Sequence, residues 1–468
     1  MSFKYQVIRD GDNRFVLPQV GEMNCEVVAF LTDELFDGTD EKLWSQAANS
    51  ASYPGVTHVY LMPDTHLGYG VPIGGVVITD GTLIQAGSGY DISCGVLYMK
   101  AHMGAIEVTD PEKRLAWIRE IEKRVATGVG SHQPELMKSA DHNVIQSAFL
   151  NGAAPLNVSA TQCERLCIPV DEQYFDPNRI ERAITKAAPQ MGSLGGGNHF
   201  IEMQVDPRDS SVWLMVHCGS RGFGWQTANH YYYAGAEARG LVPKKREQSW
   251  LYMDEPLGRE YWAHHNAAAN YAIVNRHVIA ERLREATQEV FNADASVYYE
   301  ISHNLIQEET IFLPDGSVAT GFVHRKGATR ALPPKHPELT GTAWIESGHP
   351  CLIPGSMQAG AAILFAKDSA KSGQSVNHGS GRLLGRGQAK REFSEMQGMI
   401  DEEMSEAKVT CDDGTEVEGI VLNTDKTPLD ECGHAYKDLD TVLGVLEAEG
   451  IAEVKHRMFP VANIKGLD

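Results

Sequence analysis

Short apolar runs that end in glycine-rich turns carrying histidine, cysteine or carboxylate recur along this chain, and that recurrence restricts its fold more than anything else in the sequence. The fullest case is residues 192–202, GSLGGGNHFIE, where three consecutive glycines run into Asn198, His199 and Glu202. Glycine lets a backbone turn sharply and approach a ligand closely. One such stretch is as readily a surface turn that happens to hold a histidine. Several of them point to turns that bring polar groups to a small anionic ligand or a metal. The run 56–62 (VTHVYLM) leads into Asp64 and His66 on a glycine-rich connection to a second run, 76–78. QAGSGYDISCGV, residues 85–96, sets Asp91 three positions before Cys94. The run 212–216 ends at His217, and 321–323 ends at His324 beside Arg325, Lys326 and Arg330. Each run reads as a buried strand, and loops held by such a scaffold often carry function.

Helices fill the intervals. Asp110 is a good N-cap, Pro111 suits the first turn, and Leu115, Ile118, Ile121 and Val125 form one apolar face, so 110–126 is expected to be helical. Further helices are expected over 178–188, 387–407 and 437–449, with one long helix or two packed ones over 258–291. Residues 1–55 read as short strands and helical turns, and 128–131 and 150–178 as loops. A β-rich run at 296–301 ends at Ser302-His303-Asn304, and no role is assigned to it. His264, His265 and His277 read as surface or satisfied histidines, and Cys163 and Cys167 as packing thiols.

Composition narrows the class. The chain has 468 residues, 42% of them hydrophobic, and no apolar run approaches the roughly 18 residues of a membrane span. The eight cysteines show no paired framework, and the N-terminus has no apolar signal core, which fits reduced thiols in a cytoplasm. A formal charge of -21 argues against a broad polyanion-coating surface but leaves room for a local basic or metal-lined cleft. The acidic stretches 401–406 and 412–418 read as solvated faces.

Asp91, Cys94, His199, His217 and His324 are the candidate metal ligands. Five are one too many for a closed tetrahedral structural site, whereas a bridging thiolate could serve two cations with open positions, a catalytic layout. Carboxylate, thiolate and imidazole together favour Mn, Zn, Co or Fe over Mg or Ca. The turns PGSM (354–357), HGSGR (378–382) and GGGNH offer backbone N–H groups to phosphate. His378 is not needed as a ligand and is free to act as a nucleophile near neutral pH. A neutralised phosphate beside a histidine nucleophile describes nucleotidyl transfer.

MPDTHLGYGVPIGGV, GYDISCGV, GGGNHFIE, HCGSRG, HRKGATR, PGSM and HGSGR, in this order, resemble the motifs of the RtcB family, the GTP-dependent RNA-splicing ligases. The resemblance runs from about Val56 to Lys465-Gly466. It implies an α+β fold, one large domain over 1–468 with β-sheets framing a central metal and nucleotide cleft. It implies joining of RNA 3′-phosphate or 2′,3′-cyclic phosphate ends to 5′-hydroxyl ends, with two Mn(II) ions, GTP as guanylyl donor and archease as a frequent helper. By motif, Asp91, Cys94 and His199 would hold one ion and Cys94, His217 and His324 the other, while His378 would be guanylylated. Glu202 would accept from guanine N–H groups, Lys465 would donate to its O6/N7 edge and Tyr436 would pack on the ring. Asn198, the turn Pro354, Gly355, Ser356, Met357 and the turn Gly379, Ser380, Gly381 would hold phosphates and ribose. Arg325, Lys326 and Arg382 would meet the RNA. The expected form is a cytoplasmic monomer with no membrane association. Ser93 and Ser380 stand where the family commonly has glycine and alanine, and Ala361 lacks a hydroxyl expected to bond the nucleotide. The alternatives are a 3′-phosphate guanylyltransferase that caps or repairs RNA or DNA ends but seals poorly, and a non-catalytic RNA-binding relative.

Overall fold

The computed structural model describes residues 2–128, 142–180 and 187–466. Two large sheets dominate a mixed α+β architecture. The seven-stranded sheet runs Ile8–Arg9, Arg14–Leu17, Val27–Phe30, Val56–His66, Ile73–Thr79, Val318–Lys326, Asn304–Phe312. The eight-stranded sheet runs Ala295–Ser302, Gly95–Gly104, Ser211–Cys218, Phe200–Asp206, Ala452–Lys465, Ala361–Ala366, Pro350–Pro354, with Val421–Leu422 parallel to the C-terminal strand. The apolar runs read from the sequence are strands in one sheet or the other. Their continuous burial, unbroken across Ser211–Cys218, follows from helices or the other sheet covering both faces.

Asp110 caps the Pro111–Glu122 helix by accepting from Glu112 N–H, and Trp117, Ile118 and Ile121 face the core. The 258–291 region is one helix, Pro256–Phe291, of 36 residues, ended by Asn292 in the left-handed region. Its Ile279, Ala280, Leu283 and Ala286 pack with the Gly95–Gly104, Ser211–Cys218 and Ala295–Ser302 strands, while Ala267 and Ala268 join the other core cluster. His264 and His265 on this helix are buried and satisfied: His264 Nε2 lies 2.9 Å from the Asp176 carbonyl, and Ile306 N–H donates to His265 Nε2 at 3.3 Å. The expected helix over 387–407 is two, Arg386–Glu392 and Gln397–Glu406, joined by a 3₁₀ turn. Of the expected 178–188 helix, Pro177–Ile180 is a 3₁₀ turn and 181–186 lie outside the described residues, as do 129–131 of the expected loop. Among the described residues no helix is long and apolar enough to cross a membrane.

Arg325 does not face a substrate surface. It is 1% exposed, and its guanidinium donates to both Glu309 carboxylate oxygens, at 2.5 and 3.0 Å, and to Ser375 Oγ at 2.8 Å. Arg330 closes the same network, 3.2 Å from Glu309 and 2.7 Å from Glu338. Both arginines lie on buried stretches of the strands Val318–Lys326 and Ala328–Arg330 and reach no solvent, so the basic cluster seen in the sequence is internal cross-linking. Burial pushes the Glu309 carboxyl up, but Arg325 and Arg330 outweigh it and hold it down at about 2. This contribution is therefore present above the unfolded carboxylate range and is lost as pH falls toward about 2. Glu309→Ala should cost about 3–5 kcal/mol in a denaturant titration, because it strands buried positive charge, while single-stranded RNA affinity of the folded protein stays unchanged.

Candidate metal and nucleotide site

Strand register assembles the site. Gly95 pairs with Ser302 on one side and Cys218 on the other, and His217 pairs with both Val96 and Phe200. Cys94, His199, His217 and His303 therefore stand together at one end of the eight-stranded sheet. Cys94 Sγ lies 3.4 Å from His199 Nε2 and 3.2 Å from His217 Nε2, and His303 Nε2 lies 3.2 Å from His217 Nε2. Asp91 Oδ2 is 2.8 Å from His199 Nε2, and its Oδ1 accepts from Ser220 N–H at 3.0 Å. A Cβ on Gly219 would overlap the Asp91 carboxylate, so glycine there is what lets the carboxylate in. Ser93, where the RtcB pattern carries glycine, sits at φ 58° in the left-handed region and is held by Ser302 Oγ at 2.7 Å.

Two groups of donors result, Asp91–Cys94–His199 and Cys94–His217–His303, sharing the thiol. Burial, then neighbouring imidazoles, hold His217 and His303 well below the ordinary histidine range, so their lone pairs are available. Burial and the Asp91 charge push the Cys94 thiol well up, a cost a divalent cation would reverse by taking the thiolate. The donor chemistry fits a pair of borderline-soft cations.

His324 is not in either group. Its Nε2 accepts from Ile84 N–H at 3.0 Å and its Nδ1 lies 3.0 Å from the Val77 carbonyl, so both nitrogens are spent inside the seven-stranded sheet. The imidazole beside Cys94 and His217 is that of His303, whose backbone N–H also donates to the Cys94 carbonyl at 2.8 Å. Its sequence signal, a β-run ending in Ser302-His303-Asn304, has the same form as the runs ending at His217 and His324.

Arg276, fully buried on the Pro256–Phe291 helix, ties this end of the sheet together. It donates to the carbonyls of Ser93 at 2.6 Å and Cys218 at 2.8 Å and to Ser302 Oγ at 3.1 Å, and pairs with Glu300.

Beside the donors lies a cavity of about 280 Å³. His378 lines it, with Asp64 behind. The fully buried Asp64 accepts through Oδ2 from His378 Nδ1 at 2.6 Å, His378 N–H at 3.1 Å and Gly379 N–H at 3.3 Å. Lys437 Nζ donates to the carbonyls of Pro63 and Thr65 on either side, at 3.1 and 2.7 Å. Asp64 was legible only as a polar group on a turn; its pairing with His378 spans 314 positions.

The nucleotide candidates converge on the same cavity: Asn198, Glu202, the turn Pro354, Gly355, Ser356, Met357, the turn Gly379, Ser380, Gly381, then Tyr436 and Lys465. Arg382 lines it too, its Nη1 donating to Tyr436 Oη at 2.7 Å. His66, legible like Asp64 only as a polar group on a turn, also lines it, as do Arg386, Glu431 and Asn463, for which the sequence carried no sign of a role. Lys465 Nζ is 3.0 Å from Glu431 Oε2, which also accepts from Tyr436 at 2.7 Å. Glu202 accepts from Gln204 Nε2 at 2.6 Å and Asn463 Nδ2 at 2.7 Å, and Gln204 Oε1 in turn accepts from Tyr98 Oη at 2.7 Å. Burial pushes the Glu202 carboxyl up to about 7 against the pull of those amides. Lys326 is turned away from the cavity, its Nζ donating to the carbonyls of Tyr69 and Val71, and burial pulls it down to about 7. Ala361 lies in the sheet, paired with Met458, and its side chain is not part of the cavity wall.

A family model described as tRNA-splicing ligase RtcB matches residues 46–466. The chain belongs to the RtcB family. A tRNA-splicing ligase RtcB of Aeropyrum pernix is 31% identical over 97% of this chain and 98% of its own length. An RNA-splicing ligase RtcB of Mycobacterium tuberculosis is 32% identical over 90% of this chain and 100% of its own. An RNA-splicing ligase RtcB homolog of Entamoeba dispar is 30% identical, covering 95% of this chain and 88% of its own. The mixed α+β architecture described above is consistent with RtcB membership.

The two histidines give opposite expectations. His303→Ala should lower the divalent transition metal retained per chain after metal loading and desalting, read by elemental analysis. His324→Ala should retain it in full, yet lose about 1–3 kcal/mol of stability from the unpaired Ile84 N–H.

Proposed function

We propose that this RtcB-family protein is an RNA ligase that joins 3′-phosphate or 2′,3′-cyclic phosphate ends to 5′-hydroxyl ends through a guanylylated His378. The observation that carries this reading is the Asp64–His378 pair in the wall of a cavity flanked by the cysteine–histidine donors and by Glu202 and Lys465. The printed names of full-length relatives point the same way. Asp91, Cys94 and His199 would hold one Mn(II), and Cys94, His217 and His303 a second; these ions would neutralise phosphate charge and align the reacting groups.

The chain's own residues do the rest. Asp64 accepts from Nδ1, which fixes the neutral tautomer with its proton there and leaves the lone pair on Nε2. Nε2 attacks the α-phosphorus of GTP; an N–P bond forms, the α–β bridging P–O bond breaks and pyrophosphate leaves. Asp64 offsets the positive charge the ring gains, as an orienting carboxylate does for other catalytic histidines. An oxygen of the RNA 3′-phosphate then displaces His378 from phosphorus, giving an activated end. A cyclic end must first be opened by water. The 5′-hydroxyl attacks that end, loses its proton to solvent, and GMP departs. Arg382 and the N–H groups of 380 and 381 would hold phosphate oxygens. Glu202 accepts from guanine N1–H and N2–H, where adenine offers an acceptor instead. The eight cysteines are all unpaired, in keeping with a reducing cytoplasm.

Incubation with α-labelled GTP and Mn(II), followed by denaturing electrophoresis, tests the reading. Wild type should keep acid-labile, alkali-stable label and His378→Ala none; undiminished labelling of that variant would refute the assignment. Asp64→Asn should slow labelling by roughly two to four orders of magnitude, the scale of losing an orienting carboxylate.

A pH series separates the base-reading role of Glu202. Its pushed-up carboxyl must be ionised to accept from guanine, so GTP affinity should fall as pH drops through about 7. Measured on the non-reacting His378→Ala protein, that fall should vanish in His378→Ala/Glu202→Gln, and the preference for GTP over ATP should narrow.

A further inference from the structure

Next to Asp91, where Tyr90 precedes it, the surface changes character. The segment after His66, the turn around Tyr90, the start of the Arg221–Ala238 helix and the 3₁₀ turn Pro243–Gln248 meet there. Three large aromatic side chains are left substantially in solvent: Tyr69 at 65% exposure, Trp225 at 48% and Tyr233 at 48%. Tyr90 joins two of them. Its ring meets Tyr69 edge-on at 6.3 Å and lies nearly parallel to Trp225 at 6.1 Å. Tyr90 is held from behind by a hydrogen bond to Glu247 at 2.7 Å and by Tyr232 at 4.8 Å. The Arg246 guanidinium lies 5.1 Å over the Tyr233 ring, with Lys244 and Lys245 exposed beside it.

The patch is continuous with the site. Tyr90 immediately precedes Asp91, and Arg221, four residues before Trp225, places Nη1 3.1 Å from His199 Nδ1. On a chain with a net charge of -21, exposed aromatic faces edged by three consecutive cations are an unusual combination. A protein docking surface would be expected to bury its aromatics in an apolar core, whereas these rings flank Tyr90 in solvent, with Arg246 against Tyr233 and the Tyr90 hydroxyl. The combination is what unpaired bases need: π-faces to stack on and positive charge for the phosphates between them. A duplex keeps its bases inside and could use only the charge.

We propose that Tyr69, Trp225 and Tyr233, framed by Tyr90 and Lys244–Arg246, form a stacking platform for unpaired bases of a single-stranded RNA whose end lies at the Asp91 side of the metal site. The platform deepens the ligase reading by naming the strandedness of its substrate. It rests on that reading only for the fate of the bound strand, because binding is measurable without any guanylylation.

The test uses full-length protein and a fluorescent single-stranded RNA of mixed sequence with a 3′-phosphate, read by anisotropy, with a blunt RNA duplex alongside. Trp225→Ala should weaken single-strand binding about tenfold, as loss of one stacked base does. Trp225→Phe should recover most of it, and Tyr69→Ala should show a smaller loss. Duplex binding should be equal in all four proteins, and self-guanylylation and thermal midpoints should match wild type. RNA binding should also quench part of the wild-type tryptophan fluorescence, and that part should be missing in Trp225→Phe. Equal single-strand affinity in wild type, Trp225→Ala and Tyr69→Ala overturns the platform, as does a loss of the same size for the duplex. Failure of guanylylation in wild type, with single-strand binding still dependent on Trp225, would refute the ligase reading and leave the platform standing.

Discussion

The site depends on one buried guanidinium. Arg276 bonds to Ser93, Cys218 and Ser302, and each of these is the sequence neighbour of a metal-donor residue: Cys94, His217 and His303. Three strand ends that share no local sequence are thus pinned to one rigid helix by a planar group with fixed donor directions. Glu300 balances the charge, which would otherwise be prohibitive in so dry a position. The thiol of Cys94 meets two imidazoles at 3.2 and 3.4 Å, and a third imidazole lies 3.2 Å from one of these, so more acceptors face one another than there are protons to share unless a cation takes their place. Part of the stability of the core is therefore committed to a local arrangement that is unfavourable by itself.

The two sheets divide the chemistry. The eight-stranded sheet supplies the metal donors and, through the pairing of Glu202 with Asn463 and Phe200 with Lys465, the base-facing groups. The seven-stranded sheet supplies Asp64, and with it the orientation of His378. The nucleophile and most of the donors it must face are thus built on different sheets, joined at His303, where the Ala295–Ser302 strand of one passes directly into the Asn304–Phe312 strand of the other. That explains why Lys437 and Gly381 press on the backbone around Asp64: the carboxylate needs its own anchoring, independent of the donor cluster.

What the sequence revealed and what it hid follow the same division. Residues in one turn travel together, so Asn198 with Glu202, the 354–357 turn and the 379–381 turn could be placed from local pattern alone, and they line one cavity. His324 and His303 could not be told apart that way. Both follow an apolar β-run, and the Asn304–Phe312 and Val318–Lys326 strands are neighbours in one hairpin. Only the pairing of Gly95 with Ser302, a contact between distant segments, puts His303 rather than His324 beside Cys94. Arg325 misled for a related reason. A run of basic residues reads as a surface until the strand carrying it is known to be covered on both faces, with Glu309 on the neighbouring strand to pair with. The α+β class was legible because strand and helix periodicities are local; the order of strands was not.

The hydrogen bonds behind Glu202 run in one direction. An ionised carboxylate can only accept, so Gln204 must present its NH₂ to Glu202 and its oxygen to the Tyr98 hydroxyl. Turned over, the amide would set its oxygen against the carboxylate. The orientation of Gln204 is thereby fixed from the cavity side, and a phenol two side chains away that never meets the ligand follows it. A descendant that placed a donor at 202 to read a different nucleotide would meet the NH₂ of Gln204, and the amide would have to turn over. The Tyr98 hydroxyl can accept as well as donate, so the core could follow that change with no substitution of its own.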